Sequence, residues 1–269
     1  MIVAIIQTRM DSTRLPGKVM LPVKGKPLIY YVINQLRTCK KLSKIVIATT
    51  DEKNDDVIVD YAKSLTVDIF RGNSEDVLDR YYKCAKFTNA KIIVRVTSDC
   101  PLIDPCIVDT CINKFQTENF DYLSNTCKKI DGKWIHHPNG FPSGLGVEVF
   151  SFDTLERAWS NAKKPSEREH VTPYILNNPD SFHIGFIENS TDLSGLRLTV
   201  DHMVDYELIK TIIEAFQENE VFTMDKITNF LNQNPQLKQI NDNIQFNEGY
   251  LKSIKEDEIA QGKSKDSKE

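Results

Sequence analysis

The chain has 269 residues, of which 40% are hydrophobic and 27% are charged, and its formal net charge is -4. This length is sufficient for one α/β domain with a full core, or for one domain with an appendage. The mildly acidic balance excludes a general nucleic-acid-binding surface, and no apolar run approaches the roughly 20 residues that cross a bilayer. The N-terminus leads directly into a strand pattern without a basic segment or cleavage site, so we expect a cytoplasmic protein.

Strands and helices alternate through the first 117 residues. Buried strands are predicted at residues 2–6, 44–49, 67–70 and 91–96. Helices are predicted at residues 27–40, 51–65, from 73 or 74 to about 85, and from 104 to about 117. Asn73 or Ser74 is expected to cap the third helix, and Asp104 with Pro105 to begin the fourth. This alternation predicts a doubly wound, mostly parallel sheet.

The segment after the first strand, residues 7–18, carries three permanent cations, Arg9, Arg14 and Lys18, and a Pro-Gly pair that forces a turn. An ordinary basic surface loop is one interpretation. The position favours another, a loop that binds a small oligophosphate, because open α/β sheets bind ligands at the carboxyl ends of their strands. The same edge is expected to bring Lys18, Thr49 and Asp99 together. A Walker A loop is excluded because its upstream glycine and its final Ser or Thr are missing.

The pattern changes after residue 119. Turn-forming residues predict an excursion over about 120–165 that covers the crevice or forms a dimer contact, with a strand returning at 146–150. Later helices are predicted at 152–162, 205–219 and 223–231, and later strands at 182–187 and 196–200. Ser166 and Glu169 have the spacing of a capping box. Residues 1–235 are expected to form one domain, and the polar residues 236–269 a partly disordered tail.

Cysteines and histidines do not have the spacing of a metal site. The six cysteines form no Cys-x-x-Cys pair, and Cys106 and Cys111 fall on a helical pattern, so we expect buried thiols. His136 and His137 are adjacent. Neighbouring residues of an extended chain point to opposite faces, so a shared metal is not expected there.

Two acidic residues, Asp99 and Asp201, come directly after predicted strands at the same edge of the sheet. Mg²⁺ takes oxygen ligands and is commonly held by one or two carboxylates together with substrate phosphates. A turn residue or a helix cap is the alternative for each aspartate, and for Asp205 the cap is the preferred interpretation. Together with the basic loop, the pair predicts a magnesium site.

The segment Arg9-x-x-Ser12-x-Arg14-Leu15-Pro16-Gly17-Lys18 resembles the signature loop of the CMP-sugar synthetases. Its sequence is closest to the cytidylyltransferase-like family called spore coat polysaccharide biosynthesis protein F. Asp99 lies in a segment similar to the Gly-Asp-x-Pro-Leu-Ile of these enzymes, with Ser98 in place of the glycine. Asp201 matches a late Val-Asp segment that supplies their second metal-binding acid.

The resemblance implies a Rossmann-like fold of the nucleotide-diphospho-sugar transferase type. It also implies a Mg²⁺-dependent cytidylyltransferase that takes CTP as a substrate. An oxygen of a sugar or related anionic acceptor would attack the α-phosphate of CTP, giving a CMP-activated product and pyrophosphate for the assembly of surface polysaccharides or glycans. A homodimer is expected on the same ground.

The resemblance also suggests roles for individual residues. The catalytic candidates are Lys18, Arg14 and Asp99, and the metal ligands are Asp99 and Asp201. Nucleotide contacts are expected from Gln7, Arg9, Ser12, Arg14, Lys18, Thr49 and Ser98. Acceptor contacts are expected from Arg71, Glu148, Arg168 and His170. Replacing Lys18 by alanine is expected to slow turnover and to leave the fold intact, because Lys18 is interpreted as an exposed loop cation.

Two other functions are considered. A glycosyltransferase of similar architecture is disfavoured because no Asp-x-Asp motif follows residues 91–96. A nucleotide sensor or scaffold without enzymatic activity would retain the fold and bind without turnover. Release of pyrophosphate from a free nucleoside triphosphate distinguishes the cytidylyltransferase from the glycosyltransferase. Binding without turnover across a wide panel of acceptors would favour the sensor or scaffold.

Overall fold

The computed structural model describes the backbone of residues 1–266 and the side chains of residues 1–259. The strands are β1 (Ile2–Gln7), β2 (Pro22–Val23), β3 (Lys26–Pro27), β4 (Lys44–Thr50), β5 (Asp68–Gly72), β6 (Ile92–Thr97), β7 (Tyr122–Ser124), β8 (Cys127–Ile130), β9 (Lys133–His136), β10 (Glu148–Ser151) and β11 (Ile184–Phe186). The α-helices are α1 (Leu28–Arg37), α2 (Asp56–Ser64), α3 (Val77–Phe87), α4 (Pro105–Thr117), α5 (Phe152–Asn161), α6 (Pro165–His170), α7 (Pro173–Asn177), α8 (Met203–Ala215), α9 (Met224–Gln233) and α10 (Glu248–Asp266).

Seven strands form one sheet in the order β11-β7-β10-β6-β1-β4-β5. All neighbouring pairs are parallel except those made by β10, which is antiparallel to both β6 and β7. β1 lies between β4 and β6, and its last residue, Gln7, is level with Ala48 and Thr97. Three strands therefore end side by side at one edge. This confirms the predicted doubly wound, mostly parallel sheet.

Both faces of the sheet are covered by helices because the central strands are apolar on both sides. One core layer joins the sheet to α3, α5 and α7, and the opposite layer joins it to α1, α2 and α4. A third apolar cluster lies between α1, α8, α9 and the segment 198–200. This third cluster holds residues 198–201 beside the edge where β1 and β6 end.

Three local predictions are wrong. The N-cap of α3 is Asp76, which accepts a hydrogen bond from the amide of Asp79, whereas Asn73 accepts from the amides of Glu75 and Asp76 one turn earlier. The capping glutamate of α6 is Glu167, with Lys164 at the N-cap position, because α6 begins at Pro165 and Ser166 is already helical. Cys106 is exposed on the outer side of α4, while Cys111 is buried as expected.

Residues 196–200 do not form the predicted strand. They make one parallel bridge, between Ser143 and Arg197, and two backbone hydrogen bonds to Ser143. Gly144 permits this approach: its φ is +97°, and a Cβ there would lie 2.4 Å from the carbonyl carbon of Leu198. The alternating pattern therefore reflects a chain that is half buried against a loop rather than paired in the sheet.

The excursion and the C-terminal segment differ in their relation to the sheet. β7 and β10 belong to the main sheet, and the β8–β9 hairpin between them stands outside it. Residues 248–266 form α10, a helix that the composition does not predict. The domain boundary at 235 stays a prediction.

No helix in the described part of the chain is long and apolar enough to span a membrane.

Candidate functional site

The basic loop is held at both ends by hydrogen bonds. The amide of Met10 donates to Asp55 (2.7 Å), and the same carboxylate accepts from the hydroxyls of Thr49 and Thr50 and from the amide of Thr50. At the other end, the amide of Gly17 donates to the carbonyl of Met10 (2.8 Å), in a left-handed conformation with φ of +71° that favours glycine. The loop therefore folds back on itself and directs Lys18 inward.

Lys18 is the centre of the site. Its Nζ donates to Asp99 Oδ2 (2.9 Å), to Asp201 Oδ1 (2.8 Å) and to the carbonyl of Val200 (2.7 Å). Only 8% of Lys18 is exposed. The expectation of an exposed loop cation is therefore wrong, whereas the predicted proximity of Lys18 to Asp99 is confirmed.

Asp201 is surrounded by cations. Arg14 donates to its Oδ1 (2.5 Å), and Arg197 donates to its Oδ2 (3.1 Å). Arg197 also binds Asp205 (2.9 Å), which accepts from the amides of Asp201 and His202 and so caps α8. The interpretation of Asp205 as a cap is confirmed, and this cap fixes the backbone on which Asp201 stands.

The charges of Lys18 and Asp99 stabilise one another. Burial opposes ionisation of Asp99, but the ammonium of Lys18 and hydrogen bonds from Thr97, Lys18 and Cys100 together outweigh it and lower the pKa of Asp99 to about 2. Burial likewise opposes the charge of Lys18, and the carboxylates of Asp99 and Asp201 outweigh it, so that the pKa of Lys18 is raised. Both groups are therefore ionised across the physiological pH range.

The side chains at this site fit a magnesium ion that is bound partly by protein carboxylates and partly by phosphate oxygens of a substrate. Among the described residues, no group of three or more His, Cys, Asp or Glu side chains is arranged to hold a metal ion. Asp99 and Asp201, however, both approach one cationic nitrogen within 3 Å. Carboxylate oxygens together with phosphate oxygens are the ligands that Mg²⁺ uses in nucleotide sites.

The exit of β1 carries hydrogen-bonding groups that are unsatisfied within the described residues. Gln7 Oε1 and Thr8 Oγ1 are buried there without a partner. Such atoms are rare in folded proteins and indicate that something else binds them. The backbone of Ser98 pairs with Gln7 (3.2 Å), which places Ser98 at the same edge. Thr49 also lies at this edge, but its hydroxyl donates to Asp55.

A second polar cluster surrounds Glu148, which is 5% exposed. Its carboxylate accepts from Arg95 on the neighbouring strand, from the hydroxyl of Tyr122 (2.6 Å) and from the hydroxyl of Thr172 (2.6 Å). Burial opposes its charge, but Arg95, His136 and the hydroxyls of Thr172 and Tyr122 together outweigh burial, so the pKa of Glu148 is lowered. Arg95 Nε is buried and has no partner among the described residues.

His170 lies beside this cluster. Burial, which outweighs the carboxylate of Glu169, lowers the pKa of His170 to about 4. The next residue, Val171, has φ of +72°, and the amide of Thr172 donates to the carbonyl of His170 (2.8 Å). This tight turn is strained for a β-branched residue. It presents His170 and Thr172 to the sheet from consecutive short helices.

The two other acceptor candidates are engaged elsewhere. Arg71 donates to Asp56 (2.5 Å) and to the carbonyls of Thr50 and Glu52 (both 2.8 Å). Arg168 forms a bidentate pair with Asp76. Their hydrogen bonds join neighbouring helices and loops, and none of them is made to Glu148 or His170.

Sequence reasoning missed several residues that organise the site. They are Asp55, Arg95, Tyr122, Thr172, Arg197 and Glu248. A charged residue inside an apolar strand, as in Arg95, is a signal that could have been used, since a buried charge requires a partner. Asp55 gave only the weaker signal of an acid near a helix start.

A protein-family model described as cytidylyltransferase matches residues 3–254. The chain belongs to the cytidylyltransferase family. It is therefore a nucleotidyltransferase, in agreement with the resemblance of its signature loop. Cytidylyltransferases of this kind generally use a divalent metal ion. Family membership also favours nucleotidyl transfer over the glycosyltransferase and scaffold alternatives.

Relatives cover nearly the whole chain. An uncharacterised protein of Methanocaldococcus jannaschii is 39% identical over 245 residues, which are 90% of this chain and 95% of that protein. The spore coat polysaccharide biosynthesis protein SpsF of Bacillus subtilis is 31% identical over 242 residues, which are 87% of this chain and 95% of that protein.

Solved structures agree with the fold. A cytidylyltransferase from Leptospira borgpetersenii superposes with a TM-score of 0.81 at 34% identity, over 91% of this chain and 98% of that one. A CMP:2-keto-3-deoxy-manno-octonic acid synthetase complexed with CTP gives a TM-score of 0.63 at 18% identity, over 80% and 98% respectively. The latter shows the shared fold alone.

Proposed function

We propose that this cytidylyltransferase uses CTP and Mg²⁺ to activate a sugar or related anionic metabolite for surface polysaccharide or glycan assembly. The observation that carries the proposal is the contact of Lys18 with both Asp99 and Asp201, at the end of a loop that also supplies Arg14. This cluster joins two cations for phosphate oxygens to two carboxylates for a metal.

We assign the residues around this cluster to two parts of the nucleotide, the triphosphate on one side and the base and ribose on the other. Lys18 and Arg14 would donate to the triphosphate and stabilise the charge that grows on the leaving pyrophosphate. Ser12 and Ser98 would add hydroxyl contacts to the nucleotide. Gln7 and Arg9 would contact the base and ribose, and the unsatisfied Oε1 of Gln7 supports a ligand there. Thr49 contributes through Asp55 to the shape of the loop rather than by direct contact.

Asp99 and Asp201 would hold Mg²⁺, which when bound supplies Lewis-acid stabilisation of the phosphate oxygens. The chain's own part of the reaction is positioning: an in-line attack on the α-phosphate requires the acceptor oxygen and the phosphate to be held a few ångströms apart. Arg197 and Asp205 fix Asp201 for this purpose.

The acceptor would bind near Glu148 and His170. Carboxylate and imidazole groups suit the hydroxyls of a sugar, and the unsatisfied Nε of the neighbouring Arg95 offers a donor to an anionic group. Arg71 and Arg168 are left out of the proposal because their hydrogen bonds are made to Asp56, Asp76 and backbone carbonyls, and none to a residue of the Glu148 cluster.

A thermal-shift comparison of CTP, UTP, ATP and GTP, each with and without Mg²⁺, tests the nucleotide. A ligand at 100 times its Kd stabilises the native state by about 2.7 kcal/mol, so a specific shift with CTP and Mg²⁺ is expected. Pyrophosphate release in the presence of candidate sugar acids then tests the reaction. Equal shifts for all four nucleotides, or none with CTP, would contradict the proposal.

A further inference from the structure

The C-terminal helix α10 lies on both polar clusters of the site. Glu248, its first residue, accepts hydrogen bonds from Arg14 (3.2 Å) and from His202 Nε2 (2.9 Å). Arg14 is thereby held by two carboxylates, those of Asp201 and Glu248. A carboxylate on this guanidinium occupies the donors that a nucleotide phosphate would need.

The next turns of α10 cover the acceptor side. The ring of Tyr250 stands edge-on against His136 and His170, with ring centroids 4.8 and 5.2 Å away. Ser253 Oγ lies 2.9 Å from His170 Nε2 and donates to Glu169 (2.7 Å). Asp257 binds Ser166 at the start of α6. Residues 250, 253 and 257 share one face of the helix.

The contacts that hold α10 are mainly polar. They are hydrogen bonds and ring edges, with Ser253 and Asp257 buried, whereas the apolar residues Leu251 and Ile259 are 40% and 57% exposed. Upstream, Asn241 is anchored to Asp205 (2.7 Å). Residues 242–247, between this anchor and the helix, are exposed or half exposed. They form a tether long enough to let the helix leave without disturbing Asp205.

We propose that α10 is an autoinhibitory strap, in which Glu248 competes with the nucleotide triphosphate for Arg14 and Tyr250 covers the acceptor site. The inference rests on the proposed function, because it identifies Arg14 and His170 as substrate contacts. Substrate binding and strap docking then oppose each other by the same factor, as linkage requires. The strap therefore sets the concentration of nucleotide at which the site opens.

The test uses two full-length variants with the same change of charge. Glu248→Gln removes the carboxylate on Arg14, and Glu258→Gln is the matched control, since Glu258 is exposed on the outer side of α10. Hydrogen exchange of residues 248–257 is measured first without ligand. Faster exchange in Glu248→Gln than in wild type and control is expected. Unchanged exchange would overturn the strap, whatever the substrate of the enzyme.

Binding is measured next by calorimetry, with Mg²⁺-CTP and with Mg²⁺-tripolyphosphate as a probe that lacks the base. Glu248→Gln is expected to bind both about fivefold more tightly than the control, because one partly exposed carboxylate no longer competes. Weaker or equal binding of tripolyphosphate would overturn the proposal. If tripolyphosphate binding tightens while CTP shows no advantage over other nucleotides, the strap stands and the proposed nucleotide is wrong.

Discussion

Lys18 is the residue whose burial and charge have the largest expected effect on both folding stability and activity. It is almost completely enclosed, and its ammonium compensates two carboxylates that would otherwise repel each other. Removing one partner of a buried ionic cluster typically costs about 3–5 kcal/mol of folding free energy. Its proposed role in catalysis and its role in stability are therefore coupled through the same three hydrogen bonds.

We predict that Lys18→Ala lowers kcat/KM by several orders of magnitude and also lowers the Tm. The rate effect follows from the lost stabilisation of phosphate charge, and the Tm effect from two unpaired carboxylates. Lys53→Ala, a change at an exposed lysine, is the control and should alter neither quantity. Added Mg²⁺ should restore part of the lost Tm of Lys18→Ala. A variant that keeps its turnover would remove the proposed role.

His170 makes stability depend on pH. Its folded pKa of about 4 lies below the ordinary value near 6.5, so the unfolded chain takes up the proton first as the pH falls. The contribution to stability is complete above pH 6.5 and is lost between pH 6.5 and 4, by up to about 3 kcal/mol. The pKa of His136 is also lowered by burial, and it acts in the same direction.

We predict that His170→Gln has a smaller loss of stability than the wild type on going from pH 7.5 to pH 4.5. Urea unfolding at a series of pH values measures this difference. His183→Gln is the matched control, made at an exposed histidine. Parallel pH profiles for wild type and His170→Gln would show that His170 is not buried as described.

At the scale of elements, the signature loop depends on a residue outside it. Asp55 accepts four hydrogen bonds, one from the loop and three from the end of β4. All four donors face an acceptor-only carboxylate. An amide at this position would turn two of its own hydrogens toward donors, which leaves buried groups unsatisfied.

We predict that Asp55→Asn destabilises the protein by about 1–3 kcal/mol and weakens CTP binding, because the amide of Met10 loses its anchor. Urea unfolding and calorimetry measure the two effects. Asp56→Asn is the neighbouring control, and it breaks only a surface pair with Arg71, worth less than about 1 kcal/mol. Similar effects of the two substitutions would contradict the role of Asp55 as the anchor of the loop.

On the scale of the whole molecule, the β8–β9 hairpin is one of the elements that expose large apolar side chains. It stands outside the main sheet, and Ile130 and Ile135 on one of its faces are 39% and 41% exposed. Trp134 packs the other face of the hairpin against the core, so these two large aliphatic side chains are left on its outer face, where they favour a partner surface. This supports the expectation of a homodimer through the excursion.

We predict that the protein is a dimer and that Ile135→Lys shifts it toward the monomer, as measured by light scattering after size-exclusion chromatography. Val57→Lys, at an apolar residue of α2 that is 44% exposed, is the control and should leave the dimer unchanged. A monomeric wild-type protein would rule out the expected assembly.

Much of the architecture could be predicted because it follows from the spacing of apolar residues along the sequence. The buried strands and amphipathic helices before residue 117 follow from apolar spacing, since a strand repeats every two residues and a helix every 3.6. The basic loop and the acids at 99 and 201 stand out for the same reason: each lies at a strand exit or at a break in the apolar pattern. Local chemistry therefore determined the fold class, the metal-binding candidates and the family resemblance.

Only the tertiary structure decided how these pieces act together. Lys18 and Asp201 meet across 183 residues of sequence, and Arg14 and Glu248 across 234. The burial of Lys18, the anchoring of the loop by Asp55 and the docking of α10 depend on such distant contacts. The local sequence pattern does not predict these distant contacts, because the identity of a polar residue does not show whether its side chain faces water or a buried partner. For this reason composition predicts only a polar tail after residue 235, whereas in the folded chain residues 248–266 form a helix that contacts Arg14 and His170.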